Sequence, residues 1–174
     1  MVDGDCRVLV LGTFPSPASR SFGFYYGHRQ NLFWRVLADV LGVTPPAPTP
    51  GARREFLLQH HIACWDVMHA CTIIGASDAS IADPVPNRFA PILASTKINA
   101  IFTNGRAATD LFNGLCATEA GRTATYLPST SPANRARQSS PAFREAWHQL
   151  ARAASGQADT TPPPQNVHQI ELNT

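Results

Sequence analysis

"RVLVLGTFPSPASRSFGFYYGHRQNLFWRVLADVLG" (residues 7–42) decides the architecture of this chain. It opens with a short β-branched and leucine run, Arg7 to Gly12, the pattern of a buried strand feeding a loop. It closes with Leu32, Phe33, Val36, Leu37, Val40 and Leu41, which recur at the spacing of one helical face. The connection between them, Thr13 to Gln30, is long for a strand-to-helix turn, and connections of that length are usually functional or disordered. Its rings, Phe24, Tyr25 and Tyr26, argue against disorder. A core helix from about Asn31 to Leu41 accounts for the second half. It does not account for Phe24, Tyr25, Tyr26, His28 and Asn31, which precede the apolar face in a polar, glycine-broken stretch.

The strand-then-helix alternation continues downstream. "GVTPPAPTPG" (42–51) reads as a surface connector, 52–62 as a helix and "ACWDVM" (63–68) as a strand. Residues 72–86 read as loop with one turn of helix, and 87–96 as a helix with Asn87 as its cap. "INAIFTNG" (98–105) repeats the strand-and-glycine pattern, 106–116 is helical, "TATYLPSTSP" (123–132) is a strand ending in a proline turn, and 141–155 is an amphipathic helix. This order predicts an α/β fold with a central parallel sheet of about four strands in three α/β/α layers. In such folds ligands bind beyond the carboxyl ends of the strands. The loops after strand one, after "ACWDV", after "AIFTN" and after "TATYLP" therefore converge on one cleft.

With 174 residues, 44% of them hydrophobic, the chain can bury one substantial core but is short for two domains. One domain is expected over 1–155, followed by a proline-rich tail over 156–174. No apolar run is long enough to span a bilayer, and the first residues lack the basic start and apolar middle of a signal peptide, so a cytoplasmic location is expected. Cys6, Cys64, Cys71 and Cys116 are scattered in or beside apolar segments without a CxxC, which predicts buried free thiols and no metal. The net charge of +2 and pI near 8.5 permit a nucleic-acid partner without demonstrating one. Locally, Arg135 and Arg137 lack acidic neighbours, and Arg20, His28 and Arg29 bracket the aromatic stretch; a solvated face is the plain alternative.

Common enzyme signatures are missing. "GTFPSPAS" has no glycine nest and no lysine, and its prolines remove amide donors, so it is not a phosphate-binding loop. "GHRQN" is too short and polar for a dinucleotide fingerprint, and Ser131 lacks the flanking glycines of a nucleophile elbow. No carboxylate pair is evident, although Asp66 follows a strand and Asp78 lies in the neighbouring loop. What remains is a cleft rich in rings and amides and poor in acids. Such a site suits stacking a flat heterocycle and reading its edge, which are the needs of a base extruded from a duplex. The adjoining "SPANRAR" offers arginines for phosphates or a groove.

Taken in order, "LVLGTFPSPAS", "FYYGHRQNLFW", "CWDVMHAC" with "GASDASI", "IFTNG" and "YLPSTSPANRA" resemble the uracil-DNA glycosylase superfamily. The resemblance covers roughly residues 7 to 150. More narrowly, it is to the branch that removes hypoxanthine, and to a variable extent uracil, from DNA. It implies a monofunctional glycosylase that leaves an abasic site, with damaged DNA as partner, no cofactor and a monomeric state. Some branches carry an iron–sulfur cluster on four cysteines; the spacings here differ, and none is expected.

The resemblance places the first motif, Gly12, Thr13, Phe14, Pro15 and Ser16, against the sugar and the hydrolytic water, where many members carry an acid and this chain has none. It implies that Asn31 orients that water instead, with His28 and Asp66 as the next catalytic candidates. Tyr26, Trp65 and Asn104 join the first motif as expected substrate contacts. Ser131, Pro132, Ala133 and Asn134 resemble the loop that pinches the DNA backbone, with Arg135 and Arg137 on phosphates. Each has a plainer reading. Asn31 caps a helix, Trp65 packs in the core, Asp66 makes an internal hydrogen bond or ion pair, and Asn104 forms a turn. A catalytically inert DNA-binding protein, a uracil-preferring glycosylase and a nucleoside hydrolase are the competing functions.

Overall fold

The computed structural model describes residues 1–75 and 77–157. The chain runs β1 (Val8–Gly12), α1 (Pro17–Phe22), α2 (Phe33–Leu41), α3 (Pro50–Gln59), β2 (Ile62–Asp66), β3 (Met68–Thr72), β4 (Ala82–Pro86) and α4 (Ala90–Ala94). It continues through β5 (Ala100–Asn104), α5 (Arg106–Leu115), α6 (Ala117–Ala120), β6 (Thr125–Leu127) and α7 (Pro141–Ser155). Single 3-10 turns occupy Asp78–Ser80 and Pro132–Arg137.

Four strands form the central sheet in the order β2-β1-β5-β6, and every neighbouring pair is parallel. Period-2 alternation along β1 divides the core between two faces. Val8 and Val10 face one layer with Phe33, Leu37, Trp147 and Leu150 from α2 and α7. Leu9 and Leu11 face the other, with Phe89, Ala108 and Phe112. The three-layer α/β/α arrangement with a parallel central sheet, expected from the sequence, is the one observed. Each fully buried ring or branched side chain contributes about 1.5–3 kcal/mol through removal from water, and Phe33, Phe112, Phe143 and Trp147 are all in that class.

Helix ends follow local chemistry. Ser140 caps α7 by accepting the Phe143 amide hydrogen at 3.2 Å, and Pro141 occupies the first turn, where its missing N–H costs nothing. Ser16 caps α1 in the same way through Ser19. The short helix α1 lies within the connection that reads as loop.

Two local expectations are corrected. Residues 72–86 are not simple loop: β3 and β4 pair as an antiparallel hairpin, joined through the 3-10 turn at Asp78–Ser80. Most of both strands is exposed, so no buried face imposes an alternation on the sequence. Asn87 does not cap α4, for its Nδ2 donates to the Asp66 carbonyl at 2.9 Å. The cap is the distant Glu119 carboxylate, which accepts the Phe89 and Ala90 amide hydrogens. The proline-rich tail lies, beyond Gln157, outside the described residues.

β1 has β2 on one side and β5 on the other, so the chain reverses direction across the sheet there. A crevice opens at that switch point beyond the carboxyl ends of the strands. It positions everything that follows.

Candidate active site

The crevice is a cleft of ≈ 690 Å³ walled by the carboxyl ends of β1, β2 and β5 and by the loop after β6. Gly12, Thr13, Phe14, Pro15 and Ser16 line one side, in the order in which they leave β1. Tyr26, His28 and Asn31 line it from the long connection, Asp66 and Asn104 from the floor strands, and Ser131, Pro132 and Ala133 from the far rim. These expected site residues are thus brought together.

Tyr26 is held against backbone preference. Its φ of 51° lies in the left-handed region, which costs a non-glycine residue about 1–3 kcal/mol unless its surroundings impose it. Its carbonyl accepts from Trp34 Nε1 at 3.3 Å and from Arg53 Nη1 at 3.5 Å. Its ring stacks on Phe33, with centroids 3.8 Å apart and planes 16° from parallel. Arg53 is itself buried, its guanidinium set 4.5 Å from the Phe22 ring centre and 4.7 Å from that of Trp34. The Tyr26 hydroxyl ends buried at the cleft floor near Asn104, with no well-formed hydrogen bond among the described residues.

Asp66 arrives beside it through sheet register. β1 and β2 align Gly12 with Asp66, which brings a carboxyl to the first motif that lacks one in its own sequence. A Cβ on residue 12 would stand 2.6 Å from Asp66 Oδ1 and 3.7 Å from Tyr26 Oη, so any side chain there would have to push the Asp66 carboxyl aside. The Asp66 carboxyl makes no hydrogen bond among the described residues. Burial pushes it up to about 7, against the opposing pull of the Met1 ammonium group. That ammonium donates to the Cys64 carbonyl at 2.8 Å and to the Tyr25 hydroxyl at 3.1 Å.

Asn31 stands at the entry to α2, one residue ahead of its N-cap position Leu32, and faces the cleft. Its Oδ1 accepts the Phe33 amide hydrogen at 3.0 Å. His28 Nδ1 accepts the Gln30 amide hydrogen at 3.1 Å, leaving Nε2 to carry the proton of the neutral ring. Asn104 uses its amide in both directions: Nδ2 donates to Thr130 Oγ1 at 2.8 Å, and Oδ1 accepts the Thr130 amide hydrogen at 3.0 Å. That pair locks the end of β5 to the loop after β6. Thr13 Oγ1 donates to Asp78 Oδ2 at 3.1 Å, which ties the hairpin turn to the first motif.

The last motif is knitted from within. Ser131 caps the 3-10 turn, Asn134 Nδ2 donates to the Ser129 carbonyl, and Gln138 Nε2 donates to the carbonyls of Ser129 and Ser131. Arg135 and Arg137 are exposed at the end of this turn and outside the cleft walls. Asn134 also stays out of the lining, and so does Trp65, which packs against the core layer that holds Leu9, Leu11 and Phe89. Sequence reasoning missed Ile73, Gly75 and Ser129 as wall residues. Only the fold of the hairpin and the return from β6 bring them there. Cys6, Cys64 and Cys116 are buried and Cys71 is half-buried, all as free thiols.

The model of the uracil DNA glycosylase superfamily matches residues 1–151, a span that includes every cleft element. The chain belongs to the uracil DNA glycosylase superfamily. Within it, the chain falls in the hypoxanthine DNA glycosylase branch. It is 31% identical over 139 residues to the hypoxanthine DNA glycosylase of Methanosarcina acetivorans, covering 78% of this chain and 85% of that one. It is 34% identical over 89 residues to the hypoxanthine DNA glycosylase of Methanosarcina barkeri, covering 51% and 56%. A solution NMR structure of a candidate uracil DNA glycosylase from M. acetivorans superimposes with a TM-score of 0.71 at 29% identity, over 88% of this chain and 94% of that one. This superfamily member thus shares its fold with a solved relative.

Proposed function

We propose that this superfamily member is a monofunctional DNA glycosylase acting on a deaminated base, hypoxanthine first and uracil second. One observation carries the reading. The first motif, Asn31, Asp66 and the Ser131–Ala133 rim converge on a single cleft large enough for an extruded nucleotide. The names of the two Methanosarcina relatives support hypoxanthine as the preferred base.

In this mechanism the C1′–N bond breaks with its electron pair leaving on the base, and water oxygen bonds to C1′. A proton released from the water reaches the base through solvent. An amide is too weak a base to deprotonate water, so Asn31 holds and orients it while positive charge builds on the sugar. The second Oδ1 lone pair and the Nδ2 hydrogens remain available for that purpose after Phe33 is capped. The Ser131–Asn134 loop braces the extruded nucleotide, and Arg135 and Arg137 neutralise phosphates outside the cleft. Residues 1–155 would act as one unit and as a monomer.

A second reading has its own observation. The Asn31 bond to the Phe33 amide gives the residue a structural role of its own, and with the first motif acid-free the protein would then bind lesions without hydrolysing them. The test is incubation with duplexes carrying one deoxyinosine or one deoxyuridine, followed by alkali. Scission at the lesion only after alkali supports the glycosylase. No scission on either duplex under excess protein supports the inert binder.

A further inference from the structure

Extruding a nucleotide sacrifices the stacking of its neighbours and leaves a gap in the duplex. The Ser131–Asn134 loop cannot fill that gap, for it carries no side chain larger than asparagine. The connection between β3 and β4 carries one that can. Ile73 and Gly75 both line the cleft, and Ile74 between them is 77% exposed. The other large apolar side chains exposed among the described residues are Val43, Val85 and Leu115. None of these three has a chain neighbour in the cleft lining.

A single exposed apolar side chain is ordinary on a protein surface. What sets Ile74 apart is that its backbone is fixed at the cleft. Ser80 Oγ accepts the Ile74 amide hydrogen at 2.9 Å and donates to the Ser77 carbonyl at 2.7 Å. The Ile74 carbonyl accepts the Ser77 amide hydrogen at 3.3 Å. Thr13 Oγ1, donating to Asp78 Oδ2 at 3.1 Å, ties the same turn to the first motif. Arg20 lines this cleft as well, with its guanidinium 5.8 Å from the Phe14 ring centre, and forms no ion pair among the described residues. An anchored apolar tip and an unpaired cation thus share one cleft, the pairing that suits the stacked bases and the phosphates of a duplex lying over it.

We propose that Ile74, on the β3–β4 connection, enters the duplex at the lesion and occupies the gap left by the extruded nucleotide. This rests on the glycosylase reading and adds the element that keeps the duplex open. A β-branched side chain is stiff at χ1, so little freedom is lost when it is wedged between bases. Its apolar surface leaves water on insertion, which offsets the stacking lost by the neighbouring bases. Ile74 touches neither C1′ nor the extruded base. It is a positioning residue, and it acts only where there is a stack to open. A single-stranded lesion has no such requirement and should not depend on it.

The test compares the full chain with Ile74→Ala and Ile74→Leu, substitutions at an exposed position that leave the core untouched. Single-turnover base release is measured at subsaturating protein on one deoxyinosine oligonucleotide, as a duplex and as a single strand. A second arm uses a duplex carrying non-hydrolysable 2′-fluoro-deoxyinosine beside 2-aminopurine, whose fluorescence rises when its neighbour leaves the stack. Ile74→Ala should slow release from the duplex about 10-fold, the worth of burying part of one apolar side chain, and leave the single strand within about 2-fold. It should also lose most of the fluorescence rise, and Ile74→Leu should restore both. An unchanged duplex rate in Ile74→Ala, as expected if the side chain serves a protein partner instead, overturns the proposal. So does an equal loss on duplex and single strand, or a fluorescence rise that survives the alanine. Should wild type release no base from either substrate, the glycosylase reading fails, and the fluorescence arm alone decides the wedge: a rise lost in Ile74→Ala and regained in Ile74→Leu upholds it, and no rise with wild type overturns it.

Discussion

The Asn31 side-chain oxygen accepts the Phe33 amide hydrogen at 3.0 Å while the residue faces the cleft. The side chain to which the proposed mechanism assigns the water thus also makes a structural contact. That contact is measurable without substrate. Replacing Asn31 by alanine removes the side-chain acceptor of the Phe33 amide at the start of α2 and should cost about 1 kcal/mol of stability. A denaturant melt of Asn31→Ala showing a loss of that size, with an unchanged m-value, is the expected result.

A side chain at Gly12 should displace Asp66. Alanine there would place a methyl 2.6 Å from Asp66 Oδ1, and overpacking of this kind costs about 1–3 kcal/mol. The variant should melt lower and, because the methyl and the displaced carboxyl intrude on the cleft, bind a lesion duplex less tightly. Calorimetry together with a lesion-binding titration checks both effects.

Asp66 should make stability depend on pH with a definite sign. Its carboxyl is held at about 7 in the folded chain against an ordinary 3.8. The folded state therefore binds the proton more tightly, and stability falls as pH rises between these values before levelling off. At about 1.4 kcal/mol per unit, the loss is at most about 4 kcal/mol above pH 7. Asp66→Asn should be more stable than wild type at pH 8, and the advantage should vanish near pH 4. Thermal melts across that range measure it.

Arg53 holds the Tyr26 carbonyl while stacked between Phe22 and Trp34. Arg53→Met keeps the apolar stem but removes the guanidinium, and should destabilise by about 1–3 kcal/mol. Freed from this hold, Tyr26 relaxes, so lesion selectivity should fall in the folded variant even though Arg53 itself is absent from the cleft lining. Equilibrium melts and lesion binding on the same preparation separate the two effects.

Much of this was legible in the sequence. β1, α2 and α7 each bury one continuous apolar face, and proline and glycine punctuate their ends; α7 runs over the anticipated residues. The carboxyl-edge rule for parallel sheets then gathers the motif loops without knowledge of any contact. The β3–β4 hairpin was hidden because both its faces are largely exposed, so no alternation marks it. The pairing of Asp66 with Gly12 was hidden for another reason: it depends on β1–β2 register, which is set by long-range packing. Asn87 carried a cap signature, yet a carboxylate from α6 fills that role.

Arg135 and Arg137 should govern duplex affinity without lesion preference. Each phosphate contact contributes about 0.9 to the log–log salt slope, so alanine at both positions should flatten it by about 2. Damaged and undamaged duplexes should weaken alike when binding is titrated over a series of salt concentrations.

The central claim is that Asn31 positions the hydrolytic water of a glycosylase. It is tested most directly by single-turnover release of hypoxanthine from a deoxyinosine duplex, with wild type and Asn31→Ala compared at saturating protein. Loss of an oriented transition-state contact should lower the rate by roughly 10²-fold or more, with the lesion-duplex Kd nearly unchanged. A folded Asn31→Ala protein releasing base at the wild-type rate would contradict it.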